Sequence, residues 1–322
     1  MSTVLVTGAG GFVGSAIVRR LVSSDARFWD GAPVEHVVAL LRPGGSDERL
    51  ETLPRNGTSS IERADVHDRG ALEAVLQAHR PRAVVHAVLD GSAYEADDQA
   101  VVRGPLETVL AGLSGEGRFL HVGSAWVLAP GEQLNESAPL APFTPYALNK
   151  AREDRLLPEL AQTAGVPWLN LRLFNLFGRY EKASRLVPTL VARLSRSEAV
   201  EVTHGAQIRD FNDVDVAARA FVDALAASPS ACGAVYHIGS GRGTSVRELA
   251  LGVAEIVGDP DLVRFGASGS ADEHLPILVA DPSLATAVLG WHPDLDLEAR
   301  IADTAHWWLE RLGRAEARGT RA

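Results

Sequence analysis

The segment Val4-Leu-Val-Thr7-Gly8-Ala9-Gly10-Gly11-Phe12-Val13-Gly14 constrains this chain more than any other, because a β-branched strand runs there straight into a glycine-rich turn and a helix. Gly8 permits a tight turn, Gly11 lets the backbone approach a bound group, and Gly14 allows the helix to pack closely on the strand. The new helix then presents the N–H groups around Phe12 and Val13 without intrahelical acceptors, which suits a phosphate. Three glycines at set spacing mean little alone, so the context decides. Further strands are expected at 37–41, 60–63, 83–87, 119–123 and 166–174. Helices are expected at 12–23, 71–78, 106–113 and from Tyr146 to Leu157.

Continuous apolar strands that alternate with helices imply a parallel sheet covered on both faces. The expected class is therefore α/β, with a Rossmann-type doubly wound sheet over residues 1–175. A smaller mixed α/β domain for substrate is expected over 176–322, some of its segments returning to the first. Helices are expected there at 185–196, 214–227, 245–257 and 297–312, with short strands at 200–203 and 235–238. Pro158 should kink or end the helix that contains it.

Composition narrows the function classes. The 322 residues are 46% hydrophobic and 22% charged, as in ordinary globular proteins. A formal charge of −10 argues against a nucleic-acid partner. Cys232 is the only cysteine, so neither an intrachain disulfide nor a cysteine metal cluster can form. No metal is expected from the histidine spacing either. No apolar run approaches the roughly 20 residues that cross a bilayer. The N-terminus lacks the basic and apolar regions of a secretory signal, so the expectation is a cytoplasmic protein with no membrane partner.

The glycine turn suggests a dinucleotide cofactor, and the end of the second strand bears on which one. A carboxylate there would bond the ribose of NAD, whereas arginine suits the extra phosphate of NADP. The strand ends Leu41-Arg42-Pro43, so Arg42 favours NADP, with NAD still possible and a plain solvated arginine the alternative. Ala87, closing the fourth strand, is placed beside the cofactor. Asp65 and Val66 would meet the adenine, unless Asp65 merely caps the next helix.

Tyr146 and Lys150 are four residues apart, on one helix face. A cationic lysine beside a phenol favours phenolate, drawing down a pKa ordinarily about 10. Such a tyrosine can exchange a proton with a hydroxyl or ketone while hydride moves to or from a nicotinamide. Only two lysines occur in the chain, Lys150 and Lys182, which makes Lys150 in this position harder to attribute to chance. Upstream, Ser124 ends a strand where open α/β sheets bind ligands, and its hydroxyl could bond the reacting oxygen.

Glycine loop, Ser124, Tyr146 and Lys150, in that order, resemble the extended branch of the short-chain dehydrogenase/reductase superfamily over essentially the whole chain. Thr7–Gly14 resembles its TGxxGxxG, and Tyr146 with Lys150 its YxxxK. Similar likenesses are carried by Leu171-Arg-Leu-Phe-Asn-Leu-Phe-Gly178, Arg209-Asp-Phe-Asn-Asp-Val-Asp215, Tyr236-His-Ile-Gly-Ser-Gly241, Thr244-Ser-Val-Arg-Glu-Leu249 and Leu289-Gly-Trp-His-Pro293. The resemblance implies a nucleotide-sugar epimerase, dehydratase or reductase. It further implies that Asn175 and Arg209 contact the substrate's diphosphate and that the chain forms a homodimer through the Tyr146 helix and the one before it. For Arg209, an ion pair with Asp210 or Asp213 is the alternative.

Departures refine the expectation. The family's NVxGT stretch reads Val101-Val-Arg-Gly-Pro105 here, without its asparagine. Dehydratases carry adjacent Asp and Glu after the strand-end serine, whereas this chain has Ala125-Trp126, which cannot move protons. Trp126 and Leu128 hint at a less typical sugar. The leading expectation is a 4-ketoreductase of a keto-deoxysugar nucleotide. An NAD-dependent 4-epimerase is the main alternative; a reductase of a non-nucleotide ketone and a non-catalytic dinucleotide sensor are more remote.

Overall fold

The computed structural model describes residues 2–54, 56–88, 99–113, 117–266 and 275–319. Through the first half run β1 (Thr3–Thr7), α1 (Phe12–Ser23), β2 (His36–Leu41), β3 (Ser59–Arg63), α2 (Arg69–His79), β4 (Ala83–His86) and α3 (Gln99–Gly112). They are followed by β5 (Arg118–Ser124), β6 (Gly131–Leu134), α4 (Pro145–Ala164) and β7 (Trp168–Leu173). The second half holds β8 (Asn175–Phe177), α5 (Leu186–Leu194), β9 (Val200–Val202), β10 (Ile208–Arg209), β11 (Phe211–Asp213) and α6 (Val214–Ala226). β12 (Ala234–Ile238), β13 (Thr244–Ser245), α7 (Val246–Val257), β14 (Val263–Phe265), β15 (Ile277–Ala280), α8 (Ser283–Leu289) and α9 (Leu297–Gly319) complete it.

Seven parallel strands form the main sheet in the order β12-β7-β5-β4-β1-β2-β3. The chain steps outward from β1 through β2 and β3, then returns to build β4, β5 and β7 on the other side. β1 and β4 therefore flank the point where strand order reverses, and a crevice opens at their carboxyl ends. Alternate residues feed two cores. Val4 and Val6 pack with α1 and α6 through Ile17, Leu21 and Phe221. Leu5 and Val38 face the opposite way, toward α2, α3 and α4 through Leu72, Leu106 and Leu157.

The second half divides its work. β12 and α6 belong to the large sheet and its cover. A separate core of Val187, Leu190, Leu249, Val253 and Trp308 holds α5, α7 and α9 together. Smaller sheets, β13-β10-β15-β6, β8-β11 and β9-β14, tie these parts to the carboxyl edge of the main sheet. Strands this short, and α8, carry too few residues for a period to show in sequence.

Of the kink or end expected at Pro158, the end is corrected: α4, 20 residues in all, runs through it to Ala164 and is capped by Gly165, whose φ of 66° is left-handed. Proline inside a helix forfeits one backbone hydrogen bond, at about 3 kcal/mol. Burial of Leu157, Leu160 and Ala161 against the core offsets that loss. α3 likewise runs past Pro105 and begins well before residue 106.

Candidate active site

The glycine turn has the shape a pyrophosphate needs. Gly8 has φ 66°, and a Cβ on Gly14 would stand 2.3 Å from the Gly8 carbonyl oxygen. Gly11 is the N-cap of α1 and supplies no capping side chain, so the first-turn N–H groups face the crevice with their positive end of the helix dipole. Arg49 braces the turn by donating to the Gly10 carbonyl at 3.1 Å and to the Tyr180 carbonyl at 2.9 Å. The residues present thus fit a dinucleotide's diphosphate. Arg49 was missed in sequence, since its two acceptors lie 39 and 131 residues away.

At the end of β2, Leu41 is buried and its Cγ would lie 3.3 Å from a Cβ on Gly10, so this strand end stands directly across from the glycine turn. Arg42 follows it and is exposed. Asp65 is exposed, and its carboxylate accepts from the His67 N–H at 3.0 Å. It does not cap α2; Asp68 does, accepting from Ala71 N–H. Val66 packs against the core beneath. The Ala87 carbonyl lines the floor of the Gly8 turn.

The residues expected to transfer a proton converge at the carboxyl ends of β4 and β5. Lys150, only 4% exposed, donates to the carbonyls of Val88 at 3.3 Å and Val122 at 3.1 Å, and to Glu153 at 2.7 Å. Tyr146, one turn earlier on α4, is half-buried. Ser124 ends β5, two residues beyond the carbonyl that Lys150 holds, and its Oγ accepts from the Trp126 N–H at 3.3 Å. That contact leaves the Ser124 proton to be donated. Trp126 stacks on Phe143 with ring centroids 6.1 Å apart, walling this end of the site. Leu128, expected alongside it, is instead buried in the core around Leu134 and Leu278.

Beneath these groups lies a buried polar row that sequence reading did not anticipate. Thr7, His86, His121 and Asn170 share one register across β1, β4, β5 and β7. Thr7 Oγ1 lies 2.9 Å from His86 Nδ1, and His121 Nδ1 lies 2.9 Å from Asn170 Oδ1. From α4, Glu153 meets His121 Nε2 at 3.0 Å, and Asp154 accepts from Asn170 at 2.7 Å and Arg172 at 2.9 Å. Burial pushes His86 down to about 3. Burial opposes ionisation of Glu153, but Lys150 and His121 outweigh it and hold that carboxyl at about 2. Burial likewise disfavours the Lys150 ammonium, yet Glu153, Tyr146 and Asp154 keep its pKa above the ordinary value. The one sequence signal was local: Glu153 follows Lys150 at i+3 on the same helix face.

The second half brings Asn175 and Arg209 near one another, since β8 pairs with β11 through Asn175 and Phe211. The Asn175 Oδ1 is buried without a partner among the described residues. Arg209 is buried on β10 and donates to the Ile208 carbonyl. Its neighbour Asp210 is structural: it accepts from the Ser240 N–H and hydroxyl, both at 2.7 Å, from Gly241 N–H at 2.9 Å and from Ala280 N–H at 3.2 Å. Asp213 caps α6 through Asp215 and Val216.

A model of the NAD dependent epimerase/dehydratase family matches residues 4–239. The dTDP-glucose 4,6-dehydratase of an Actinoplanes species is 31% identical over 320 residues, covering 95% of this chain and 97% of that one. Its counterpart in Neisseria meningitidis is 25% identical, covering 96% and 94%. Among solved structures, the dTDP-glucose 4,6-dehydratase DesIV of Streptomyces venezuelae superposes with a TM-score of 0.84 at 25% identity, over 97% of this chain and 98% of that one. A UDP-glucose 4-epimerase of Thermotoga maritima shares the fold, with a TM-score of 0.80 at 24% identity over 96% and 99%. On the strength of the matched family model and the 31% identical relative, this chain belongs to the NAD dependent epimerase/dehydratase family, the extended short-chain dehydrogenase/reductases that act on nucleotide sugars.

Proposed function

We propose that this chain is a nucleotide-sugar 4-ketoreductase, drawing hydride from NADPH and reducing a keto-deoxysugar carried on a nucleoside diphosphate. The observation that carries this reading is the local chemistry after Ser124. The dehydratases named above remove water from their sugar, which needs an acid for the leaving hydroxyl and a base for a carbon-bound proton. Here the adjoining positions are Ala125, fully buried, and Trp126, stacked on Phe143. Neither transfers a proton. What remains is a set suited to one proton at one oxygen: Tyr146 to give it, Lys150 to favour phenolate once it has left, and Ser124 to bond the same oxygen.

A bound dinucleotide supplies the hydride. The glycine turn and the start of α1 would hold its diphosphate, and Arg42 beside Leu41 would meet the 2′-phosphate of NADP. Asn175 and Arg209 would hold the diphosphate of the substrate. A homodimer through α3 and α4 belongs to the same reading.

The test is to purify the protein, release any tightly held dinucleotide by mild denaturation, and identify it by mass spectrometry. The protein is then assayed with a 4-keto-6-deoxy nucleotide sugar and NADPH. Stoichiometric NADPH oxidation with appearance of the alcohol supports the reductase. Retained NAD, with interconversion of two sugar epimers and no net dinucleotide turnover, replaces it with the 4-epimerase.

A further inference from the structure

Lys150 is one of only two lysines in the chain, and it is buried with a carboxylate for company. All three of its N–H donors have acceptors: the carbonyls of Val88 and Val122 and the Oε2 of Glu153. The same Oε2 meets His121 Nε2. Glu153 is thus pinned from two sides, by the helix that carries the proton-transfer pair and by the strand that ends in Ser124.

We propose that Glu153 is a positioning residue: its carboxylate is the counter-ion that holds the Lys150 ammonium at the ends of β4 and β5 and keeps it charged beside Tyr146. The proposal rests on the reading of Tyr146 and Lys150 as the proton-transfer pair. Without Glu153, a buried ammonium bonded only to neutral carbonyls faces the full cost of desolvation and sheds its proton more readily. The charged and titratable groups around Glu153 among the described residues do not replace it. His121 from β5 and His86 from β4 can add only positive charge, and Arg172 from β7 is already paired with Asp154 of α4. Asp154 supports Lys150 from farther off, being committed to Asn170 and Arg172. Tyr146 is the group the ammonium serves. Glu153 also helps fix the imidazole: its Oε2 lies 3.0 Å from His121 Nε2 and the Asn170 Oδ1 lies 2.9 Å from Nδ1, so the ring is held at both nitrogens.

The scarcity of lysine provides the test. Protein labelled with carbon-13 at lysine Cε shows two signals, and Lys182→Arg assigns them. In wild type the Lys150 signal should show no titration below about pH 10. In Glu153→Gln, which keeps the shape and can still meet His121, it should titrate at least about one pH unit lower than in wild type. The alkaline limb of the kcat/KM profile should descend by the same interval, with KM for the nucleotide sugar little changed. Glu153→Asp should recover part of both shifts. A Lys150 titration in Glu153→Gln that coincides with wild type overturns the proposal. A lowered titration in a protein that reduces no keto-sugar nucleotide supports the counter-ion role and overturns the proposed function instead.

Discussion

The Ala87 carbonyl oxygen lies 2.4 Å from where a Cβ on Gly8 would stand, so the end of β4 closes directly over the turn that leaves β1. Gly8 is also left-handed, at φ 66°. Gly8→Ala therefore meets a backbone clash and an unfavourable dihedral together. We expect it to destabilise the protein by about 1–3 kcal/mol and to lower dinucleotide affinity at least about tenfold. Thermal unfolding with and without dinucleotide checks both; an unchanged Tm would show that the turn tolerates a side chain.

Tyr146→Phe should lower turnover about 10²–10⁴-fold while leaving the dinucleotide dissociation constant nearly unchanged, because the phenol is proposed to transfer the proton and Lys150 keeps its other contacts. Single-turnover reduction followed at the nicotinamide absorbance gives the comparison. Full activity in the phenylalanine variant would remove Tyr146 from the mechanism.

Arg42 is exposed beside a buried Leu41 at the end of β2, where a 2′-phosphate would sit. A guanidinium bonded to a partly exposed phosphate contributes roughly 1.5–3 kcal/mol, about ten- to hundredfold in affinity. Arg42→Ala should weaken NADP by that factor and spare NAD, while Leu41→Asp should reverse the preference. Calorimetric titration of both dinucleotides decides it. Tighter binding of NAD by wild type, indifferent to the loss of Arg42, would reject NADP.

Glu181 follows the loop that Arg49 ties to the glycine turn; it is buried, and its Oε2 has no partner among the described residues. Burial pushes its carboxyl up to about 7, only partly opposed by Arg185. Folded protein thus holds this proton more tightly than unfolded chain does, so the contribution is full below about pH 4.5 and is lost as pH rises through about 7. Glu181→Gln should accordingly stabilise the protein at pH 8, by up to about 3 kcal/mol, and bring no gain at pH 4. Denaturation at the two pH values measures the difference. Equal effects at both would show that Glu181 does not titrate in this range.

Much of the candidate site was legible in the residues themselves, because its pattern is local. The strand, turn and helix of 4–14 depend on neighbouring residues, as does the i, i+4 placement of Tyr146 and Lys150. Alternation of apolar runs and helical stretches sufficed for a parallel sheet, since each strand buried on both faces must be continuously apolar. Other features depended on tertiary structure because their causes are distant in sequence. Pro158 carries every local sign of a helix end, yet the core around Leu157 and Leu160 overrides it. Asp65 could have capped the next helix on local grounds, but the Ala71 N–H falls within reach of Asp68 instead. Asp210 accepts from the Ser240 turn, 30 residues away, a partner that no local pattern announces. The row from Thr7 to Asn170 becomes a row only when β4, β5 and β7 line up in register. Glu153 reaches Lys150 along its own helix, but meets His121 only because that register sets the imidazole beneath it.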